Sequence, residues 1–392
     1  MDLPVVPKLE ELASISPSFY NTALSCKAKA GWFRFAPQGA FPGTTGAILG
    51  GCFHAVMELA NRGRLPAGAA GATRAKAEFD AIALELFAKA HPLLRAKFRS
   101  PAAVPYYHQR RARAVEMALK ASTGATIDTT GSAPSEVGPP ARSPRMHIEK
   151  KLTARDGFVT GRIDLLDEER RKITDYKSGH APREGGSSLA ENEVRQLHLY
   201  AHLARETGYD IAAAAIVRGD GTEAAVNISP DEVAREADAA RALRSEFNIA
   251  AAAGKDLAEL AMPAREICAG CPYLPACDPF WAAATPQWEE ACGTNAEGTV
   301  TEMHSSTVSG TELVTLTIDA SRGSAPRGVL IVEQIPNRWL AINGDPPLVG
   351  ESVRVVQAAR FSPTLEKEVR ALHVDRFKST AVWRAASPAQ PI

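Results

Sequence analysis

Between Gly46 and about Lys120 the apolar positions recur with helical spacing. Phe79, Ile82, Ala83, Leu86, Phe87 and Ala90 fall at offsets of 3, 4, 7, 8 and 11, which places them on one face of a helix. Pro92, Pro101 and Pro105 then interrupt the pattern, because proline cannot donate to a helical ladder. The stretch ASTGATIDTTGSAPSEVGPPARSP, Ala121 to Pro144, is nearly free of large apolar residues and predicts a surface loop or flexible insertion. Beyond it the period changes to two. Arg145–Lys151, Gly157–Leu166 and Lys172–Lys177 predict strands, the last two joined through the charged turn Asp167–Arg171. A helix from about Leu189 to Glu206 and an apolar strand Ile211–Val217 follow. A second helix runs to about Ala253, opened by Ser229, Pro230 and Glu232 as a capping box. Strands interleaved with helices indicate an α/β core.

Further on, Thr299–Met303, Leu313–Ile318, Val329–Glu333, Trp339–Ile342 and Ser352–Gln357 are five short β-type runs separated by Gly, Pro and Asn turns. Five strands in so short a span predict a small all-β barrel or sandwich, with an OB-like barrel preferred. The expected organisation is a helical N-terminal part (1–122), an insertion (123–144), an α/β core with a cysteine cluster (145–290) and the barrel (295–392).

The 392 residues carry 45 Lys+Arg against 45 Asp+Glu, so the chain is formally neutral and cannot be a uniformly basic nucleic-acid coat. With 23% charged and 45% hydrophobic residues it is excluded from collagen-like, wholly disordered and membrane-spanning classes. MDLPVVPKLEELASISPSFY has neither a basic n-region nor an apolar core, which leads us to expect a cytoplasmic protein without a signal peptide. Six cysteines are too sparse for a disulfide scaffold, and three of them, Cys268, Cys271 and Cys277, crowd into one short segment that suggests a metal.

The segment GRIDLLDEERRKITDYKSG, Gly161 to Gly179, carries the sharpest chemistry. Asp164 and Asp175 can meet at one end of a hairpin, with Lys177 two residues beyond Asp175 on the same face of its strand. Two carboxylates and an ammonium suit a hard divalent cation and a phosphate ester. Taken alone, an Asp-x-Lys triplet also fits a solvated hairpin end.

The larger pattern narrows the choice. Gly-x-Ile-Asp, ten intervening residues, Asp-Tyr-Lys-Ser-Gly, and then Gln196-x-x-x-Tyr200 on the next helix resemble the RecB-type branch of the PD-(D/E)XK nuclease superfamily, the branch that includes CRISPR-adaptation nucleases and AddB-type nuclease domains. The resemblance implies a metal-dependent DNA nuclease acting on single-stranded DNA or DNA ends. In it Asp164 and Asp175 are acidic ligands of Mg²⁺ or Mn²⁺, the Tyr176 carbonyl a further ligand, and Lys177 the group that orients the attacking water. Gln196 and Tyr200, one helical turn apart, shape the site and contact the strand. Gly50-Gly51-Cys52-Phe53-His54 resembles the branch's Gly-x-x-x-His element, which implies that His54 completes the metal shell. Glu149 resembles an acidic residue placed behind the ligands. The chain lacks a Pro before Asp164, as is common in this branch.

In CAGCPYLPAC, the separation of Cys268 and Cys271 lets two thiolates share one metal centre, and Cys277 adds a third. Iron–sulfur nucleases of the same branch place one cysteine before the core and three after it, which implies a [4Fe-4S] cluster held by Cys26, Cys268, Cys271 and Cys277. Zn²⁺ suits the same thiolates by ligand type. Cys52 is expected as a buried thiol, and Cys292 as a spare ligand.

From Arg142 to Arg183 there are eleven Lys/Arg against seven Asp/Glu, a local excess of four that is compatible with a phosphate backbone. Trp32, Phe33, Phe35, Trp281 and Trp288 either stack on unpaired bases or pack around a cluster. Arg327, Arg338, Trp339, Arg354, Arg360 and Lys367 are candidates for a single-strand groove on the barrel. The expected partners are DNA and a helicase or another protein of repair, CRISPR adaptation or phage defence, with no membrane. The alternative is a non-catalytic nucleic-acid-binding subunit with a structural metal cluster.

Overall fold

Thr44 caps the first long helix by accepting the Ala47 N–H through its side chain, and that helix (α3, Thr45–Asn61) buries Ile48, Leu49, Cys52, Phe53, Val56, Met57 and Ala60. Before it come α1 (Pro17–Ser25) and α2 (Lys27–Phe35); after it come α4 (Gly68–Lys89), α5 (Pro92–Lys97) and α6 (Tyr107–Ser122). The computed structural model describes residues 1–123, 145–179, 189–340, 342, 346–360, 370–373 and 381–385. The periodic stripe on α4 is confirmed: Phe79, Ala83 and Phe87 are buried, four residues apart, while Ile82, Leu86 and Ala90 pack at its edge. With α3 and α6 they form one helical core. The expected insertion falls almost wholly outside the described residues.

A five-stranded sheet follows, ordered β1 (Met146–Thr153), β2 (Thr160–Asp167), β3 (Lys172–Lys177), β4 (Ala213–Arg218) and β5 (Glu223–Val226). Only β3 and β4 are parallel, joined by a crossover through α7 (Glu191–Glu206); the other neighbours are antiparallel. The 23-residue α8 (Pro230–Ala252) starts at Ser229 and Pro230 as the sequence predicts, with Ser229 accepting the Glu232 N–H. Leu166, Ile173, Ala214 and Ile216 pack into the core under α7 and α8, whereas Tyr176 and Val217 join α3, α4 and α6 on the other face. β5 is too short for its alternation to stand out in the sequence, and only pairing with β4 identifies it.

Short helices α9 (Arg265–Cys268), α10 (Asp278–Ala283) and α11 (Glu289–Cys292) lead to a second sheet. It contains β6 (Thr294–Val308), β7 (Thr311–Gly323), β8 (Gly328–Pro336), β9 (Ser352–Arg360), β10 (Arg370–His373) and β11 (Ala381–Arg384), in the order β10-β8-β7-β6-β9-β11. Ser309 and Gly310 close the β6–β7 hairpin, both at positive φ (49° and 74°), as a two-residue turn matched to strand twist requires. The OB-like barrel expectation is corrected to this six-stranded sheet. β10 runs parallel to β8 over four pairs and touches β9 over only two, at its end, while β11 pairs with β9 over four, at Val353 to Val356. The strand expected at Trp339–Ile342 is instead a helical turn, α12 (Asn337–Leu340), which buries the adjacent Trp339 and Leu340 together.

Arg354, 5% exposed, ties this sheet to the cysteine segment. It donates to Glu297 Oε2 (2.8 Å), the Pro275 carbonyl (2.7 Å) and Asp278 Oδ1 (2.5 Å), and its guanidinium lies 5.3 Å from the Trp281 ring centroid. A buried guanidinium placed between two carboxylates is committed to structure. With Trp339 also buried, the expected single-strand groove loses two of its members; Arg360 and Lys367 have no described side chain. Among the described residues no helix is long and apolar enough to cross a membrane.

His91 caps α5: its Nδ1 accepts the Leu93 N–H at 3.0 Å, and the ring is 4% exposed, 6.0 Å from Trp383. Burial, and next the charge of Arg95, push its pKa down to about 4. The folded pKa lies below the unfolded value near 6.5, so this group's contribution is full above pH 6.5 and is lost as pH falls toward 4. His91→Asn keeps a capping acceptor and cannot charge. Urea unfolding of both proteins is expected to show the wild type losing about 2–3 kcal/mol more between pH 7 and pH 4; parallel pH profiles would remove His91 from the account.

Candidate active site

Leu166 and Ile173 are cross-strand partners facing α7. Side chains two residues apart in a strand share a face, so Asp164, Asp175 and Lys177 lie on that side as well. The β2–β3 ladder runs to Leu165↔Thr174. One residue further the Asp164 carboxylate accepts the Tyr176 N–H at 2.8 Å. Tyr176 thus enters the site through its backbone, while its ring turns to the opposite face and its hydroxyl accepts from Asn61 Nδ2 at 3.3 Å.

Four side chains close one network. Lys177 Nζ lies 2.8 Å from Asp175 Oδ2 and donates to Gln196 Oε1 at 3.0 Å. Gln196 Nε2 reaches Asp175 Oδ1 and the Tyr200 hydroxyl, each at 3.0 Å. The amide of Gln196 is therefore read at both ends, oxygen on the ammonium and nitrogen on the carboxylate. Although Lys177 is close, its approach to Asp175 Oδ2 is poorly directed, which leaves that buried oxygen without a hydrogen bond.

His54 of α3 brings Nδ1 to 3.5 Å from Asp164 Oδ2. Glu149 of β1 joins them: one ligand atom each from His54, Glu149 and Asp164 lie within 4.8 Å of one another. Glu149 has φ of 51°, a left-handed backbone that costs a non-glycine residue energy, here at a candidate cation site. Sequence reasoning set Glu149 behind the ligands; the bend in β1 carries its carboxylate among them, a placement that alternation alone does not reveal.

The electrostatics describe a site short of positive charge. Burial, and then the charge of Asp175, push Asp164 up to about 7. Burial also raises Asp175, with Lys177 opposing the shift. Glu149 is pushed up to about 6 by burial and next by Asp164, and burial lowers His54, keeping its ring neutral. Clustered carboxylates with a neutral imidazole form a donor set for a hard divalent cation, which supplies the missing charge.

Gly161 of β2 packs against the Tyr200 ring. A Cβ there would sit 2.9 Å from Tyr200 Cε1, 2.9 Å from Leu203 Cδ1 and 3.3 Å from Pro17 Cδ. Gly161→Ala is expected to displace the Tyr200 ring from Gln196, costing about 1–3 kcal/mol of stability and slowing the reaction about tenfold. Wild-type melting and turnover in that variant would show that the packing yields without consequence.

Of the counted basic residues, Arg142 and Arg183 lie outside the described residues. Arg170, Arg171 and Lys172 pair with Asp167, Asp210 and Glu223, and Arg162 lies 3.8 Å from Glu149. The sequence excess therefore overstates the free positive charge. Another pair escaped the sequence reading altogether: Arg218 of β4 and Glu193 of α7, bonded at 2.7 and 3.0 Å.

The cysteines gather elsewhere. Cys26, at the α1–α2 junction, lines a pocket of about 370 Å³ with Cys268, Cys271 and Cys277. Burial pushes the Cys271 thiol up to about 11 and Cys277 to about 12. Cys52 is a core thiol, as expected. Cys292 is outside the pocket lining and donates to the Arg265 carbonyl at 3.2 Å; its spare-ligand role is reserved for a Cys26 too distant to serve, and Cys26 lines the pocket. Trp32 and Trp281 are buried, Trp32 stacked on Tyr273, so they pack; Phe33 is exposed.

Residues 14–278 match the family model of the PD-(D/E)XK nuclease superfamily. The matched span takes in His54, both aspartates, Lys177, Gln196, Tyr200 and the four pocket cysteines, and ends before the second sheet. No curated protein matches the chain.

Proposed function

Because the chain belongs to the PD-(D/E)XK nuclease superfamily, we propose that it is a Mg²⁺- or Mn²⁺-dependent deoxyribonuclease of the RecB-type branch, acting on single-stranded DNA or DNA ends. The observation that carries this reading is the closed network of Asp175, Lys177, Gln196 and Tyr200 beside the Asp164, Glu149 and His54 group.

Asp164, Asp175, Glu149, His54 and the Tyr176 carbonyl would hold the divalent ion, which when bound lowers the pKa of a coordinated water and offsets phosphate charge. Lys177, fixed by Asp175 and Gln196, is aimed to orient the attacking water and to face the negative charge growing on the phosphate oxygens. Gln196 keeps the ammonium from rotating away, and Tyr200 holds Gln196. Water adds to phosphorus as the bond to the leaving oxygen breaks, yielding a phosphomonoester and a hydroxyl.

The cysteine pocket fits a metal centre by chemistry, since four cysteines from both ends of the matched span line it and burial of Cys268, Cys271 and Cys277 disfavours their thiolates without one. Cys26, Cys268, Cys271 and Cys277 would hold a [4Fe-4S] cluster that staples α1–α2 to the segment after α8. In the same reading, residues 1–122 and 145–290 form the nuclease domain and 295–392 a separate module.

The test uses protein purified anaerobically and assayed on end-labelled single-stranded DNA, duplex DNA and RNA with Mg²⁺, Mn²⁺ or EDTA. Cleavage of DNA, greatest on single strands or ends and abolished by EDTA, is expected, from a brown protein. DNA retention with no cleavage under either cation would favour a non-catalytic binding subunit, and a colourless, zinc-containing protein would replace the iron–sulfur assignment.

A further inference from the structure

Arg218 stands directly across the parallel β3–β4 ladder from Lys177. Its side chain is nearly sealed from solvent, 3% exposed, and forks onto Glu193: Nη1 to Oε1 at 3.0 Å and Nη2 to Oε2 at 2.7 Å. Glu193 Oε2 also accepts the Ala190 N–H at 2.9 Å, in the first turn of α7 and less than one turn before Gln196. Against burial, Arg218 and then Lys177 hold the Glu193 carboxyl below its usual range, and Glu193 in turn raises Asp175. Because Arg218 is the ladder neighbour of Lys177, the carboxylate it holds lies on the same face of the sheet as the ammonium that the site needs on Asp175 and Gln196.

We infer that Arg218 is a positioning residue, which occupies both oxygens of Glu193 so that Lys177 remains on Asp175 and Gln196 instead of being drawn to Glu193. The inference rests on the nuclease reading and adds to it the group that keeps the lysine in place. The reasoning is electrostatic. In a site with little water, a carboxylate released from its guanidinium attracts the nearest free cation strongly, and a two-point guanidinium fork satisfies a carboxylate in a geometry a lysine cannot reproduce. The same bond fixes the start of α7, and with it the direction in which Gln196 presents its amide.

The experiment compares wild type, Arg218→Met, Arg218→Lys and the double variant Arg218→Met/Glu193→Gln. In the metal-loaded cleavage assay Arg218→Met is expected to lower kcat about 100-fold with little change in KM, because misplacing one aligned group is costly while no substrate contact is lost. Removing the charge of Glu193 in that background is expected to restore about tenfold or more. A merely structural Arg218 also predicts recovery of stability in the double variant, since the orphaned carboxylate is gone, but leaves Lys177 in place in the single variant, so the position of the lysine separates the two roles. Arg218→Lys, which keeps the charge without the fork, carries the comparison if Arg218→Met does not fold.

A crystal structure of the Arg218 variant gives a readout independent of turnover: Lys177 Nζ is expected on Glu193 and away from Gln196. Lys177 still on Asp175 and Gln196, or a double variant no faster than the single, overturns the inference. A wild type silent with every cation rejects the nuclease reading, and the lysine position still decides this one.

Discussion

Replacing Lys177 with methionine is expected to leave a folded protein that cleaves DNA roughly 10²–10³-fold more slowly. Lys177 is part-exposed at the end of β3, so its methylenes are replaced by a side chain of similar length and no cavity opens. What disappears is the ammonium held between Asp175 and Gln196. Asp164→Asn is expected to lose at least as much, since it removes a charge from the group shared with Glu149 and His54. The two variants separate the roles in a second measurement. Calcium or manganese titration followed by melting should show cation-dependent stabilisation surviving in Lys177→Met and lost in Asp164→Asn. Relief of carboxylate crowding also predicts that apo Asp164→Asn melts above the apo wild type at neutral pH, because Asp164 ionises there against burial and Asp175. Equal cleavage by wild type and both variants would falsify the assignment.

On the proposed iron–sulfur reading, Cys277→Ser is expected to remove the cluster's brown colour and destabilise the protein by more than about 4 kcal/mol. Cys277 lines the pocket with Cys26, which lies at the α1–α2 junction, 251 residues earlier in the chain. Loss of one ligand therefore releases a long-range closure and not a local turn. Nearby, Arg354 holds the Pro275 carbonyl and Asp278, on either side of Cys277, so loosening of the loop is expected to reach the second sheet. Hydrogen exchange should report faster opening at β9 in the serine variant. A colourless wild type of equal stability would show that the thiols bind nothing structural.

The fold was unevenly legible. Strong helical periods located α4 and α8 because their apolar stripes are long and their caps explicit. The short β5, β10 and β11 carry too few residues for alternation to register, and they exist only as partners of longer strands. The OB-like barrel followed from counting strands, but a count does not say which edges meet. β11 pairs with β9 at Val353 to Val356, which composition could not foretell.

The site divides in the same way. The meeting of Asp164, Asp175 and Lys177 was readable because strand alternation and a short hairpin link them locally, whereas Gln196 and Tyr200 were singled out through the family resemblance. Glu149 was set too far out, since its entry depends on a left-handed backbone in β1. Arg218 and Glu193 left no mark, as neither belongs to a repeating pattern and their bond spans two elements.

By itself, then, the sequence determined which residues share a strand face or a helix turn, and therefore which chemical groups travel together. Those relations are set by backbone geometry over a few residues. Only the tertiary structure decided that Cys26 and Cys277 line one pocket, that Glu149 reaches His54 and Asp164, and that Arg218 occupies Glu193. Those meetings depend on how buried faces pack across long stretches of chain, and local spacing carries no record of that.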